Sequence, residues 1–325
     1  MQKILITGSS GYIGSSLCVF LEKKYIIKGL DKNSSNYFKF TRINLLNIQK
    51  LNQVLKSFKP DIVVHLAAQS LVDETVNKKK YLLNNIKVTK NLLLCLKKNK
   101  ISNLIFSSTA AVYKYKDKAL KESDRLMPIS TYAKTKYECE KLIKASNLNY
   151  IILRFFNVCS SLNIRNKIIG ELHNPETHLI PTVVYKSIFK KKIYIYGNSF
   201  KTKDGTCIRD YVHIKDICLA IKKSIIKIWN SKKIKEVINI GSQSNLTNID
   251  ILNHVKKITK IDLNFKITKN RKGDLDKLSC AITKAKKKLD WTPLNSNINK
   301  IIRDEIAWVN HLKKNKIKRR FKNYL

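Results

Sequence analysis

Two short groups of residues carry the chemistry. In Tyr132-Ala133-Lys134-Thr135-Lys136 a tyrosine and a lysine stand four residues apart, a spacing that puts both side chains on one face of a helix. A phenol with its ordinary pKa of about 10 is a poor base at neutral pH. A neighbouring ammonium favours the phenolate, and such a pair can take the proton of an alcohol. In a chain this rich in lysine the pair could equally be part of a solvated helix face. A second group, Ser107-Ser108-Thr109, ends an apolar run. A hydroxyl at the carboxyl end of a strand can hydrogen-bond a reacting oxygen and help its proton move.

The amino terminus supplies what those groups need. Gly8-Ser9-Ser10-Gly11-Tyr12-Ile13-Gly14 follows a strand-like run at 3–7 and opens a helical pattern at 12–24. Glycines there permit a tight turn and close backbone approach to a pyrophosphate, whose charge rests on the helix amino end. Asp31 closes a second strand at 26–30. A carboxylate at that place accepts hydrogen bonds from ribose hydroxyls and repels a 2′-phosphate, so it favours NAD over NADP. Hydride can then leave the carbon whose hydroxyl loses its proton.

The elements that must hold these groups alternate. Strands are expected at 62–65, 103–107 and 150–155, and helices at 48–58, 81–98 and 131–145. That order is the signature of an α/β, doubly wound parallel sheet. The second half is less regular. A polar loop is expected at 172–181, helices at 182–189, 214–228, 248–259, 283–289 and 298–312, and strands at 193–196 and 237–240. The expected division is a Rossmann domain at 1–160, with 209–240 returning to it, and a smaller C-terminal substrate domain at 161–208 and 241–325.

Composition excludes several classes. The chain has 325 residues and 43% apolar content, enough for a substantial core. No apolar run reaches membrane-spanning length, and no secretory signal opens the sequence. Seven scattered cysteines form no CxxC pair, and no histidine cluster stands at zinc spacing, so no metal is expected and the thiols read as reduced and cytoplasmic. Lys plus Arg is 65 against 23 acids, a net charge of +42. The charges spread over the whole length, which reads as compositional bias more than as a nucleic-acid surface. Such a field still steers small anionic substrates.

Longer stretches carry a resemblance. They are Ile6 to Gly14, His65-Leu66-Ala67-Ala68, Asn84-Asn85, Phe106 to Tyr113, Tyr132 to Lys136, and Arg154-Phe155-Phe156-Asn157-Val158. Gly170-Glu171, Pro175 to Pro181, Asp204 to His213 and Gly273-Asp274 follow. The sequence resembles the extended short-chain dehydrogenase/reductase family, on the branch that epimerises nucleotide sugars.

The resemblance implies NAD-dependent epimerisation of a UDP-hexose at C4 through a transient 4-keto sugar, by a homodimer. It implies that Tyr132 is the base, with Thr109 as the second hydroxyl and Lys136 holding the ribose and lowering the Tyr132 pKa. It places Gly8, Gly11, Tyr12, Ile13, Gly14, Asp31, Ala67, Asn84, Ser107 and Phe155 on the cofactor. Asn157, His178, Leu179, Arg209, Tyr211, Arg271 and Asp274 fall on the UDP-sugar, and Leu278 at a position that gates room for a 2-acetamido group. Asn44 stands where the family commonly has an adenine-contacting Asp. Related chemistries on the same fold are a uronate or N-acetylhexosamine epimerase and a dehydratase. Ala110-Ala111 after Thr109 lacks the acid pair that a dehydratase needs to expel water. A non-catalytic, RNA-associated NAD-binding protein is the remaining alternative.

Overall fold

The structure is a computed structural model that describes residues 1–33, 37–71, 77–173, 175–270 and 274–317. Seven parallel strands form its central sheet: β1 Lys3–Thr7, β2 Ile26–Asp31, β3 Phe40–Arg42, β4 Ile62–His65, β5 Asn103–Thr109, β6 Asn149–Phe155 and β7 Lys235–Ile240. Their order is β7-β6-β5-β4-β1-β2-β3. The strand order reverses between β1 and β4, and a crevice opens at the carboxyl ends beside that switch point. The register brings Thr7 level with Leu30 and His65, and Thr109 level with Phe155. The inner strands are apolar on both faces, as Ile62-Val63-Val64 illustrates with no exposed side chain, because helices cover both sides.

The helices of the first half are α1 Tyr12–Leu21, α2 Ile48–Phe58, α3 Lys78–Tyr81, α4 Val88–Lys98 and α5 Thr131–Lys144. Those of the second half are α6 Leu179–Ile188, α7 Ile214–Trp229, α8 Asn248–Thr259, α9 Thr283–Leu289 and α10 Ile298–Lys314. Leu17, Val19, Ile217 and Ile221 from α1 and α7 pack on one face of the sheet. Leu51, Leu55, Leu92, Leu96 and Ile143 from α2, α4 and α5 pack on the other. A third core joins α6, α8 and α10 through Val183, Val184, Ile251, Val255, Ile302 and Val309. Ala285, Leu289 and Trp291, in and after α9, sit in the first of these cores with the sheet, although the sequence places their segment with the substrate domain.

Three elements differ from the sequence expectation. The helix expected at 81–98 is interrupted by a π-helical segment, Leu82–Lys87, between α3 and α4. One extra residue in a helix turn leaves the apolar repeat almost unchanged, so periodicity does not reveal it. The loop expected to reach Pro181 ends at His178, because α6 begins at Leu179. Proline in a first turn loses no helical hydrogen bond, since amides there have no intrahelical partner. Several two- and three-residue strands, among them Asn157–Cys159 paired with Tyr211–His213, are too short to leave a pattern. Among the described residues, no helix is long and apolar enough to cross a membrane.

Candidate functional site

The turn after β1 is shaped for close approach. Gly8 has φ +73°, and a Cβ on it would lie 2.7 Å from the Ala67 backbone nitrogen. A Cβ on Gly14 would lie 1.9 Å from the Gly8 carbonyl oxygen. Gly8 N–H donates to the Leu30 carbonyl at 2.9 Å, which ties the turn to β2. Gly11 is the residue before α1, it offers no side-chain cap, and the first turn has no acidic residue. The leading amides of α1 and its positive end therefore face the crevice uncompensated, which suits a pyrophosphate. Asp31 accepts from Ser10 N–H and Asn33 N–H, both at 3.0 Å, and so fixes the loop edge.

The crevice encloses about 360 Å³, between the glycine turn, Asp31, Asn44, Leu66-Ala67-Ala68, Asn84 and the 170–173 segment. These residues fit NAD: glycines where a side chain would intrude, unpaired helix amides and a strand-end carboxylate. Asn84 faces this space and accepts from Lys32 Nζ at 3.3 Å. Its neighbour Asn85 is buried, accepts from Gln69 N–H at 2.7 Å and donates to Thr135 Oγ1 at 2.9 Å. Asn85 thus links the loop after β4 to α5. Asn44 Oδ1 accepts from Leu46 N–H at 3.0 Å, so this Asn caps its own turn on the adenine side of the crevice.

At the reacting end, Ser130 caps α5 by accepting from Ala133 N–H at 3.1 Å. The cap fixes where Tyr132 leaves the helix. The Thr109 side chain stands close enough to the Tyr132 phenol to favour its ionised form, and Thr109 Oγ1 accepts from Ala111 N–H at 3.2 Å. Burial pushes Tyr132 up to about 12, and the Thr109 hydrogen bond opposes this only in part. Lys136 is 3% exposed, and its Nζ lies 4.2 Å from the Phe106 ring centroid. Burial draws it down to about 8. In the protein alone, desolvation is the largest influence on both groups, and Lys136 with a pKa of about 8 still carries its charge at neutral pH. His65, buried and held down at about 3, contacts Thr7 Oγ1 at 2.7 Å and Thr89 Oγ1 at 3.1 Å. It adds no charge beside Lys136.

Beneath these groups lies a network that the motif reading missed. Glu140, one turn beyond Lys136, accepts from Ser108 Oγ at 2.6 Å and from Arg154 Nε and Nη2 at 2.9 and 2.7 Å. Arg154 Nη1 donates to Tyr113 OH at 2.8 Å, and Tyr113 OH donates to Asn239 Oδ1 at 2.7 Å. The chain spans β5, α5, β6 and β7. Its signal in the sequence is an arginine inside the otherwise apolar run of β6, since a charge on a buried strand requires a partner.

The expected substrate residues come from several short elements of both halves of the chain. Asn157 pairs in register with Tyr211, whose ring is buried. Arg209 donates to the Ile208 and Leu275 carbonyls at 2.9 and 2.7 Å, and its Nη2 lies 3.5 Å from Asp274 Oδ1. Leu179 opens α6, with His178 before it. Phe155 is buried at the end of β6 and Ser107 donates to the His65 carbonyl at 3.3 Å. Tyr12 OH donates to the Ser160 carbonyl at 2.5 Å, and Ile13 packs on the sheet core. Arg271 lies outside the described residues. The sequence offered no metal ligands, yet the fold assembles Glu171, His173, Glu176 and His178 within 4.8 Å. Their spacing, E-x-H-x-x-E-x-H, is the signal that a search for cysteine patterns passes over.

Comparison with known proteins agrees with this geometry. A UDP-glucose 4-epimerase of Lactobacillus helveticus is 34% identical over 322 residues, covering 94% of this chain and 97% of that protein. The crystal structure of a UDP-glucose 4-epimerase from Brucella ovis in complex with NAD superposes with a TM-score of 0.88 at 28% identity, over 95% of this chain and 98% of that one. That of the UDP-Glc/GlcNAc 4-epimerase from Campylobacter jejuni gives 0.79 at 28% identity, over 96% and 100%. The sequence pattern of the NAD dependent epimerase/dehydratase family matches residues 4–241, and the chain belongs to that family.

Proposed function

We propose that this chain interconverts UDP-galactose and UDP-glucose at C4 with tightly held NAD. The observation that carries the reading is Thr109 at the carboxyl end of β5 acting on the Tyr132 phenol, with Lys136 one turn on in α5 and the glycine turn at the carboxyl end of β1 in the same sheet. NAD held there would supply the acceptor for the C4 hydride and the donor for its return. Gly8, Gly11 and Gly14 hold the pyrophosphate with Tyr12 and Ile13, and Asp31 holds the adenosine ribose. Ala67, Asn84, Ser107 and Phe155 line the remainder. Tyr132 takes the C4 hydroxyl proton, and the Thr109 hydroxyl steadies the oxygen as it becomes a ketone. The same phenol returns the proton after the sugar has turned over. Asn157, His178, Leu179, Arg209, Tyr211, Arg271 and Asp274 hold the UDP part. Turning requires a loose grip on the sugar, so the binding energy belongs on the nucleotide.

The test is to incubate the purified protein with UDP-galactose and no added cofactor. UDP-glucose should accumulate to equilibrium, and a preparation that contains bound NAD but forms none would overturn the reading. A parallel incubation with UDP-N-acetylgalactosamine reads the pocket at Leu278, which is only half buried. The lobe division at 1–160 with 209–240 against 161–208 with 241–325 belongs to this proposal, with α9 moved to the first lobe.

We also propose a cytoplasmic homodimer. All seven cysteines are free and buried, in keeping with a reducing compartment. Leu82 and Leu94 are 51% and 59% exposed on the helical stretch before β5, and the second copy would cover them. Sedimentation equilibrium should give twice the 37.6 kDa chain mass; a monomer at micromolar concentration would rule the dimer out.

A further inference from the structure

Between the Lys167–Ile169 strand and α6, four side chains turn toward one point. Glu171, His173, Glu176 and His178 each bring one carboxylate oxygen or ring nitrogen within 4.8 Å of the others. Two of them are poorly explained by their protein neighbours. Glu176 is 1% exposed, and its Oε2 has no hydrogen-bond partner among the described residues. Its Oε1 accepts from Thr177 N–H, His178 N–H and His178 Nδ1 at 2.8–2.9 Å. Among the described residues, no Lys or Arg lies within ion-pair distance of Glu176. Burying a carboxylate without a full set of partners is costly, and a chain with 65 Lys and Arg has no shortage of cations to supply.

His173 gives the second observation. Its Nδ1 lies 2.7 Å from Glu171 Oε1, yet this buried nitrogen directs no hydrogen bond among the described residues. The pair is an ion-pair contact whose ring nitrogen is not directed at the carboxylate, a geometry that also suits two ligands of one centre.

We propose that Glu171, His173, Glu176 and His178 form a binding site for one divalent transition-metal ion of the zinc type. Two imidazole nitrogens and two carboxylate oxygens suit such an ion, whereas magnesium and calcium prefer oxygen alone. A dication balances the two carboxylates. Tetrahedral metal–ligand bonds of about 2.0–2.2 Å put ligand atoms about 3.4 Å apart, so the cluster closes by about 1.4 Å at most from its 4.8 Å spread. His173 Nε2 faces Ser70 Oγ at 3.4 Å, an outer contact that orients the ring. Glu171 and His173 also form a wall of the nucleotide crevice. The ion would staple that wall to the residue that precedes α6, His178.

The test uses the whole protein, stripped with a chelator and then titrated with cobalt(II) and, separately, zinc(II). Cobalt should bind at one ion per chain with the intense visible absorption of a four-coordinate site, and zinc should displace it. His173→Gln, at a rim position 32% exposed, should weaken binding by more than the ~10–100-fold that loss of an outer-shell partner costs. Glu176→Gln should do the same with unchanged circular dichroism, and if it fails to fold, the His173 variant decides. Less than one ion per chain, a weakly absorbing six-coordinate spectrum, or wild-type affinity in His173→Gln would overturn the proposal. The readout is metal binding, so the result stands apart from any outcome with UDP-sugars.

Discussion

Tyr132→Phe lowers turnover of UDP-galactose by about 10²–10⁴-fold while NAD stays bound. The substitution removes one oxygen and leaves the ring that fills the cleft. That oxygen is the one whose ionisation the Thr109 side chain favours. With Tyr132 pushed up to about 12 in the protein alone, only about one molecule in 10⁵ would carry the phenolate at pH 7. Lys136, drawn down to about 8 by burial, still carries its charge at pH 7, yet desolvation dominates at Tyr132. On the proposed function, the positive charge that favours the Tyr132 phenolate would come with the nicotinamide ring of bound NAD. A titration of Tyr132 by its ultraviolet absorbance should move to lower pH when NAD is added to stripped protein. Near-normal turnover in the Phe variant, with NAD content intact, would remove Tyr132 from its role.

Glu140→Gln should destabilise the protein by about 3–5 kcal/mol, since it leaves Arg154 buried against a neutral amide. Glu140 is fully buried and Arg154 is 1% exposed. Burial alone raises the Glu140 pKa, but the Arg154 hydrogen bonds and charge, with the Ser108 hydroxyl, bring it below the ordinary value. The sign for pH follows. A carboxylate whose folded pKa is lowered stabilises the fold fully above its unfolded pKa, about 4.3, and that contribution is lost as pH falls through the folded value. Wild type should therefore lose stability on acidification below about pH 4.3, whereas Glu140→Gln should lack this component. Urea midpoints measured from pH 3.5 to 7 would show it. Equal midpoints for the two proteins at pH 7 would mean that the pair holds nothing together. A double variant, Glu140→Leu with Arg154→Met, should recover much of the loss, because it removes both charges at once.

The legibility of the site in the sequence follows from the range of each interaction. The glycine turn, Asp31 and the Tyr132–Lys136 pair are local: a turn, a strand end and one helical period specify them, and their spacing is read directly. The Arg154–Glu140–Ser108 network joins three elements, and residue 108 meets residue 140 only once β5 and α5 have packed. The direction of the Tyr132 pKa was beyond local reading for the same reason, because burial is a property of the whole fold. The long strands and helices carry enough apolar repeats to be placed within two or three residues. The two-residue strand Ile208–Arg209 exists only because Leu246–Thr247 and Lys277–Leu278 lie beside it.

The widened helical segment at Leu82–Lys87 carries a consequence for how this chain tolerates change. Its single surplus residue offsets the helix before it from the helix after it by about a quarter turn. Deleting one residue there would mend the helix and still move Asn85 off Gln69 and Thr135, the two places it now clasps. A shorter chain with a more regular helix would then lose the strap between the crevice loop and the helix that bears the phenol, so regularity at this point and competence would be opposed.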